Sequence, residues 1–197
     1  YLQSQKIAEL LLDLQVSTII SSTEDVSVDT SVAISRVQEA ADCLGADCVP
    51  RYVELKRSKD LDATDILQQL NEQEGSEGQL LRPGFLNRFD DESLSALWDQ
   101  SGKAWETLLN EVSDESDPEK VAVVVSHPAV HIALMGHCLK LTKEWMGSFH
   151  LDAGSISVVD FPDGAAGRGV IRCINYTAHL GRWAIPITRP TADDEEF

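Results

Sequence analysis

Apolar residues recur along this chain in two periods, and the way the periods alternate predicts the fold. Ile7, Leu10, Leu11 and Leu14 follow helical spacing, which predicts an amphipathic helix over residues 3–15. Residues 16–22 are short, β-branched and apolar, and read as a buried strand. The acidic, Ser/Thr-rich stretch 23–31 reads as a loop. It leads into a helix with Val32, Val37, Ala41 and Leu44 inward and Gly45 as its C-cap. Residues 49–55 read as a second strand, with Pro50 favouring its start or an edge. A short helix over 62–70 precedes residues 71–89, whose Gly, Gln and Glu content reads as a surface loop.

The second half is more regular. Leu94, Leu97, Trp98, Trp105, Leu108, Leu109 and Val112 mark a long helix. Val121–Val125 is an unbroken apolar run, as expected of a central parallel strand covered on both faces. The next helix carries Val130, Leu134, Cys138 and Leu141 on one side. Residues 155–161 and 169–176 read as strands of a hairpin around the Gly/Pro/Asp-rich 162–168. Strand and helix alternate, so the expected fold is α/β: a three-layer α/β/α sandwich with a mainly parallel sheet and an antiparallel pair near the end. One domain is expected over 1–190, followed by an acidic disordered tail over 191–197.

Composition narrows the partners. A net charge of −17 repels nucleic acid and anionic membranes, so neither is expected as a partner. No run of eighteen apolar residues exists to span a bilayer. Cys43, Cys48, Cys138 and Cys173 lack metal-knuckle spacing and read as buried thiols. Tyr1 is no initiator and no signal-peptide pattern follows it, so the chain reads as a piece of something longer.

Candidate chemistry concentrates at Val125-Ser-His-Pro. His127 would sit at the carboxyl end of a strand, where open α/β sheets bind ligands. It would also sit at the amino end of a helix, where free N–H groups and the dipole favour anions. Pro128 suits the first helical position. The alternative is a histidine that merely caps the helix. His131, one turn on, raises a zinc site, but no Glu follows His127 and no third ligand is evident, so no metal is expected. His137, His150 and His179 read as structural or surface residues, and the four tryptophans as core anchors. Residues 146–150 and 153–157 lack the second glycine of a nucleophile elbow, and 164–169 lacks the strand-before, helix-after setting of a phosphate loop.

The Val-rich strand, Ser126-His127, the apolar helix, Leu-Asp-Ala-Gly-Ser-Ile-Ser-Val-Val-Asp-Phe (151–161) and Ile-Asn-Tyr-Thr-Ala-His-Leu (174–180) together resemble the histidine phosphatase, or phosphoglycerate mutase-like, superfamily. The resemblance runs from residue 5 to residue 180. More narrowly, the chain is similar to the carboxyl-terminal half of plant chloroplast sugar-phosphate phosphatases built from two such domains in tandem. The resemblance implies a phosphorylated histidine in an Arg-His-Gly strand, two phosphate-binding arginines, an acidic proton donor and a second phosphate-binding histidine. Carried over, the second histidine is His127 and the acid is Asp60. Phosphate contacts fall on His127, Lys59 and Ala129 in the first helical turn. Glu92 matches the opening of the helix before the Val-rich strand rather than the acid.

The departures from that pattern shape the expectation. No Arg-His-Gly strand is present, so a position in the sheet is expected to stand open. The second arginine's segment reads Ser22-Thr23-Glu24-Asp25-Val26-Ser27, and Arg-Glu becomes Lys59-Asp60. Removing a single preorganised donor costs about 10²–10³ in rate. The expectation is therefore a domain of a sugar-phosphate phosphatase, taking a small phosphorylated sugar or sugar acid without a cofactor, that is inactive as this chain alone. A preceding tandem domain is its expected partner and the chloroplast its expected location. The alternative is a pseudo-phosphatase that binds or regulates.

Overall fold

The computed structural model describes residues 2–41, 52–68, 83–113 and 120–184. Helix α1 (Leu2–Leu10) leads into β1 (Val16–Ser21), α2 (Asp25–Ala41) and β2 (Glu54–Arg57). Helix α3 (Asp91–Val112), strand β3 (Val121–Val125) and helix α4 (Pro128–Cys138) follow, then strands β4 (Ile156–Asp160) and β5 (Val170–Tyr176). The parallel sheet runs β2-β1-β3, and β4-β5 form a separate antiparallel pair. Alternate residues of β1 and β3 turn to opposite faces. Ile20 and Val124 join the core under α3 and α4, while Ile19, Val121, Val123 and Val125 join the core under α1 and α2. This is the expected three-layer sandwich.

Helix α2 departs from the sequence reading. It starts at Asp25, inside the stretch expected to be a loop. Its buried stripe is Ser27, Thr30, Ser31, Ile34, Ser35 and Gln38, while Val32 and Val37 are only half-buried. These residues keep helical spacing, but their small polar side chains hide it from a hydrophobic pattern. Their hydroxyls find partners locally: Thr30 Oγ1 donates to Val26 O at 2.8 Å and Ser31 Oγ to Val28 O at 2.8 Å. Gln38, wholly buried, donates to Leu11 O at 2.5 Å and accepts from Val16 N at 3.3 Å, tying the end of α1 to β1.

Other boundaries shift less. α1 stops at Leu10 and leaves Leu14 exposed. β2 begins at Glu54, later than expected, and the helix expected over 62–70 covers 64–68 among the described residues. The end of the expected surface loop is core. Phe85 and Leu86, in a 3₁₀ turn at Phe85–Arg88, and Phe89 just after it are buried, before Asp90 caps α3 through Ser93 N at 2.7 Å. The expected tail 191–197 and domain limit at 190 lie outside the described residues, as do Cys43 and Cys48. Cys138 and Cys173 are free thiols.

Strand β3 also differs from expectation. Its five apolar residues are all half-buried, and among the described residues it pairs only with β1. The hairpin β4–β5 leans on the same layers without bonding to it, since Ile156 shares the α1/α2 core with Val121, Val123 and Val125. Behind β3, α3 and α4 close tightly. Trp98 stacks on His137 with centroids 3.9 Å apart, and His137 Nε2 bonds Trp98 O at 2.9 Å. Burial holds the His131 imidazole down to about 4. His127 pushes the same way, and a hydrogen bond with the Ser126 backbone opposes them.

Three outcomes are expected. A Cβ on Gly136 would lie 2.7 Å from the Trp98 ring, so Gly136→Ala should cost about 1–3 kcal/mol in denaturant unfolding. Among the described residues β3 has an apolar edge with no strand against it, so this chain should self-associate with rising concentration in sizing experiments, and a clean monomer throughout would contradict this. His131 titrates near 4 when folded and near 6.5 when unfolded, so its neutral form stabilises above pH 6.5 and that contribution is lost as pH falls towards 4. Wild type should lose about 2–3 kcal/mol more than His131→Leu over that window.

Candidate functional site

Three loops meet where the parallel strands end. The register pairs Ser21 with both Arg57 and Val125, so Ser22, Ser58 and Ser126 leave the sheet side by side. Ser58 N donates to Ser21 O and Ser22 N to Val125 O, each at 2.9 Å, extending the ladders one residue past the strands. Ser126 Oγ donates to Leu61 O at 2.6 Å, fixing the loop after β3 to the loop after β2. The loop after β1 is held by carboxylates. Asp62 accepts from Thr23 N at 2.6 Å and Thr23 Oγ1 at 2.5 Å. Glu24 Oε1 accepts from Ala63 N at 2.9 Å, Thr64 N at 3.0 Å and Thr64 Oγ1 at 2.6 Å. Two acids thus staple the loops after β1 and β2 to each other.

His127 lies between β3 and α4 and is the N-cap of α4. Its Nδ1 accepts from Ala129 N at 3.1 Å, so the neutral ring carries its proton on Nε2. Ala129, one of the residues expected at the phosphate, thus gives its amide to that histidine. Burial holds the His127 imidazole below its ordinary value, and the charge of Glu24 opposes this from across the rim. His127 is therefore neutral at pH 7, with Nε2–H as its donor. Phe85 stands edge-on to the ring, centroids 6.4 Å apart at 82°.

Between the loops after β1 and β2 lies a cleft of about 520 Å³ lined by Thr23, Glu24, Asp25, Lys59, Asp62 and Gln100, among others. Of the residues expected at the site, Lys59 lines this cleft and His127 does not, although Glu24, which does, acts on His127 through its charge. Asp60 shares the 3₁₀ turn Lys59–Leu61 but is half-buried and is not part of the lining. Glu92 lies in the first turn of α3, where its charge suits the helix dipole. Asp62, Gln100 and Phe85 were not anticipated. Gln100 Nε2 donates to Lys59 O at 3.1 Å and Asp62 O at 2.6 Å, holding the turn from α3. Among the described residues no three His, Cys, Asp or Glu side chains gather as a metal site, and no helix is long and apolar enough to cross a membrane. His150 lies 3.5 Å from buried Asp152, and His179 Nε2 bonds Gly154 O at 2.9 Å, so both brace the hairpin.

The arrangement is one neutral imidazole donor at a strand–helix junction, one lysine, and carboxylates where a cation would be needed to hold a dianion. Comparison with known proteins agrees with the architecture. The chain is 51% identical over its whole length to 2-carboxy-D-arabinitol-1-phosphatase of Triticum aestivum. It is 54% identical, over 96% of its length, to "Probable 2-carboxy-D-arabinitol-1-phosphatase" of Arabidopsis thaliana. It spans only 39% and 38% of those two proteins. Among solved structures it superimposes on mycobacterial glucosyl-3-phosphoglycerate phosphatase with a TM-score of 0.60 at 15% identity, covering 90% of this chain and 86% of that one. Phosphoserine phosphatase from Entamoeba histolytica gives 0.57 at 18% identity, covering 91% and 83%. These two likenesses speak to the fold alone. Residues 1–175 match the histidine phosphatase superfamily (branch 1), and the chain belongs to that family.

Proposed function

We propose that this chain is the second-histidine part of a sugar-phosphate phosphatase, acting with residues outside these 197 on a small phosphorylated sugar acid such as the name of its wheat relative describes. The observation that carries this reading is His127. It is a neutral imidazole at the carboxyl end of β3 whose Nδ1 is taken by Ala129 N–H, leaving Nε2–H to donate to a phosphoryl oxygen. Lys59 supplies the remaining positive charge at the rim. The nucleophilic histidine of the superfamily pattern is to come from an Arg-His-Gly that this sequence does not contain. In this reading the neighbouring domain is its partner and the chloroplast its location.

Glu24 favours a second reading, a pseudo-phosphatase that binds or regulates. Its carboxylate lines the cleft, with Asp25, in the segment where the family pattern carries an arginine, and it is fastened there by three hydrogen bonds. A phosphoryl dianion beside it would be repelled rather than clamped.

The 197-residue chain should hydrolyse no p-nitrophenyl phosphate above buffer. In the longer protein that contains it, His127→Ala should lower kcat by about 10²–10³ if His127 stabilises the transferring group. Unchanged kinetics there would overturn the catalytic reading and leave the regulatory one.

A further inference from the structure

His127 is held by more than its capping bond. A ring fixed at one nitrogen can still pivot about that hydrogen bond, and a donor that pivots is poorly preorganised. The Phe85 ring, 4% exposed, stands nearly perpendicular against the imidazole, and Phe89 backs it with centroids 6.3 Å apart. The turn carrying both is entered through Gly84 at φ 77, a left-handed conformation that glycine adopts at little cost. Its far side is latched. Asn87 Nδ2 donates to Gly147 O at 3.3 Å, and a Cβ at position 147 would lie 1.7 Å from Asn87 Oδ1. Any side chain at 147 would have to push the Asn87 amide out of this contact.

We propose that Phe85 is a positioning residue for His127. Latched in place by the Asn87–Gly147 contact, it stops the imidazole pivoting, so that Nδ1 stays on Ala129 N–H and Nε2–H stays directed at the ligand. This rests on the reading that His127 donates to a phosphoryl oxygen. The residue acts through geometry and burial and does not itself touch the reacting atoms. The charged group acting on His127 is Glu24, from the loop after β1, while His131, one turn along α4, itself feels the charge of His127. Neither is altered in the test.

The test is a pH titration of the His127 ring nitrogens by long-range proton–nitrogen correlation in the 197-residue chain. Wild type should show one neutral tautomer, protonated at Nε2, with a pKa below the ordinary value of about 6.5. Phe85→Leu, which keeps the bulk, should preserve that pattern. Phe85→Ala should mix the tautomers and move the pKa towards about 6.5. Gly147→Ala, which displaces Asn87 without altering Phe85, should have the same effect and serves if Phe85→Ala fails to fold. A folded Phe85→Ala or Gly147→Ala protein whose His127 tautomer and pKa match wild type overturns the proposal. Adding inorganic phosphate judges the underlying reading separately. In a longer protein that contains this chain and an Arg-His-Gly strand, a wild-type Nε2 signal that millimolar phosphate leaves unmoved overturns the phosphoryl role, while the tautomer data still decide the case of Phe85.

Discussion

The rim depends on one constraint, the parallel register of β1 between β2 and β3. Because Ser21 is level with both Arg57 and Val125, the three strands end at one height and their next residues emerge in a row. Everything else at the rim follows from that height. Ser126 can reach Leu61 O, Thr23 can reach Asp62, and Glu24 can reach the amides of Ala63 and Thr64. A slip of two residues in the β1–β2 pairing would keep the faces of the strands buried but separate every one of these partners, and the same slip in the β1–β3 pairing would part Ser126 from Leu61 O. The wholly buried Gln38 guards the register at the other end, since it grips Val16 N at the start of β1 and Leu11 O before it.

How much of this was legible in the sequence depended on how local each signal is. The junction of β3 and α4 was readable because an apolar run, a histidine and an N1 proline are adjacent residues with one joint meaning. The hairpin was readable for the same reason. α2 was misplaced because its inner stripe is built of serine, threonine and glutamine, which bury well only once their hydroxyls and amide have found partners. Phe85 and Phe89 were overlooked because the surrounding Gly, Gln and Glu dominate the composition of 71–89. Two aromatics close behind a Pro-Gly pair were the available sign of a turn returning to the core. Glu24 and Asp62 were read as misplaced charge or missed altogether, since their partners lie thirty-nine or more positions away in sequence, and no periodicity links them.

That reciprocal stapling changes what the acids at the rim mean. A carboxylate receiving two backbone N–H groups and a hydroxyl is a satisfied anion, and its charge cannot simply be removed without leaving those donors unpaired. The loops after β1 and β2 therefore depend on Glu24 structurally, at the same place where phosphate chemistry would call for a cation. Under the phosphatase reading these two demands conflict at one position.

The same carboxylate acts on His127 in the opposite sense to burial. Packing against Phe85 and the first turn of α4 favours the neutral ring, while Glu24 favours the charged one. Burial prevails, so the imidazole is a hydrogen-bond donor and not a counter-ion. A neutral donor offers a phosphoryl oxygen direction but little net charge. Among the described residues Lys59 is the cation lining the cleft, set against Glu24, Asp25, Asp62 and Asp65, so a dianion entering it would meet net negative charge. Under the proposed phosphatase reading, Lys59 would need further positive charge from outside the three strand ends described, and this face would contribute chiefly the orientation of a single N–H.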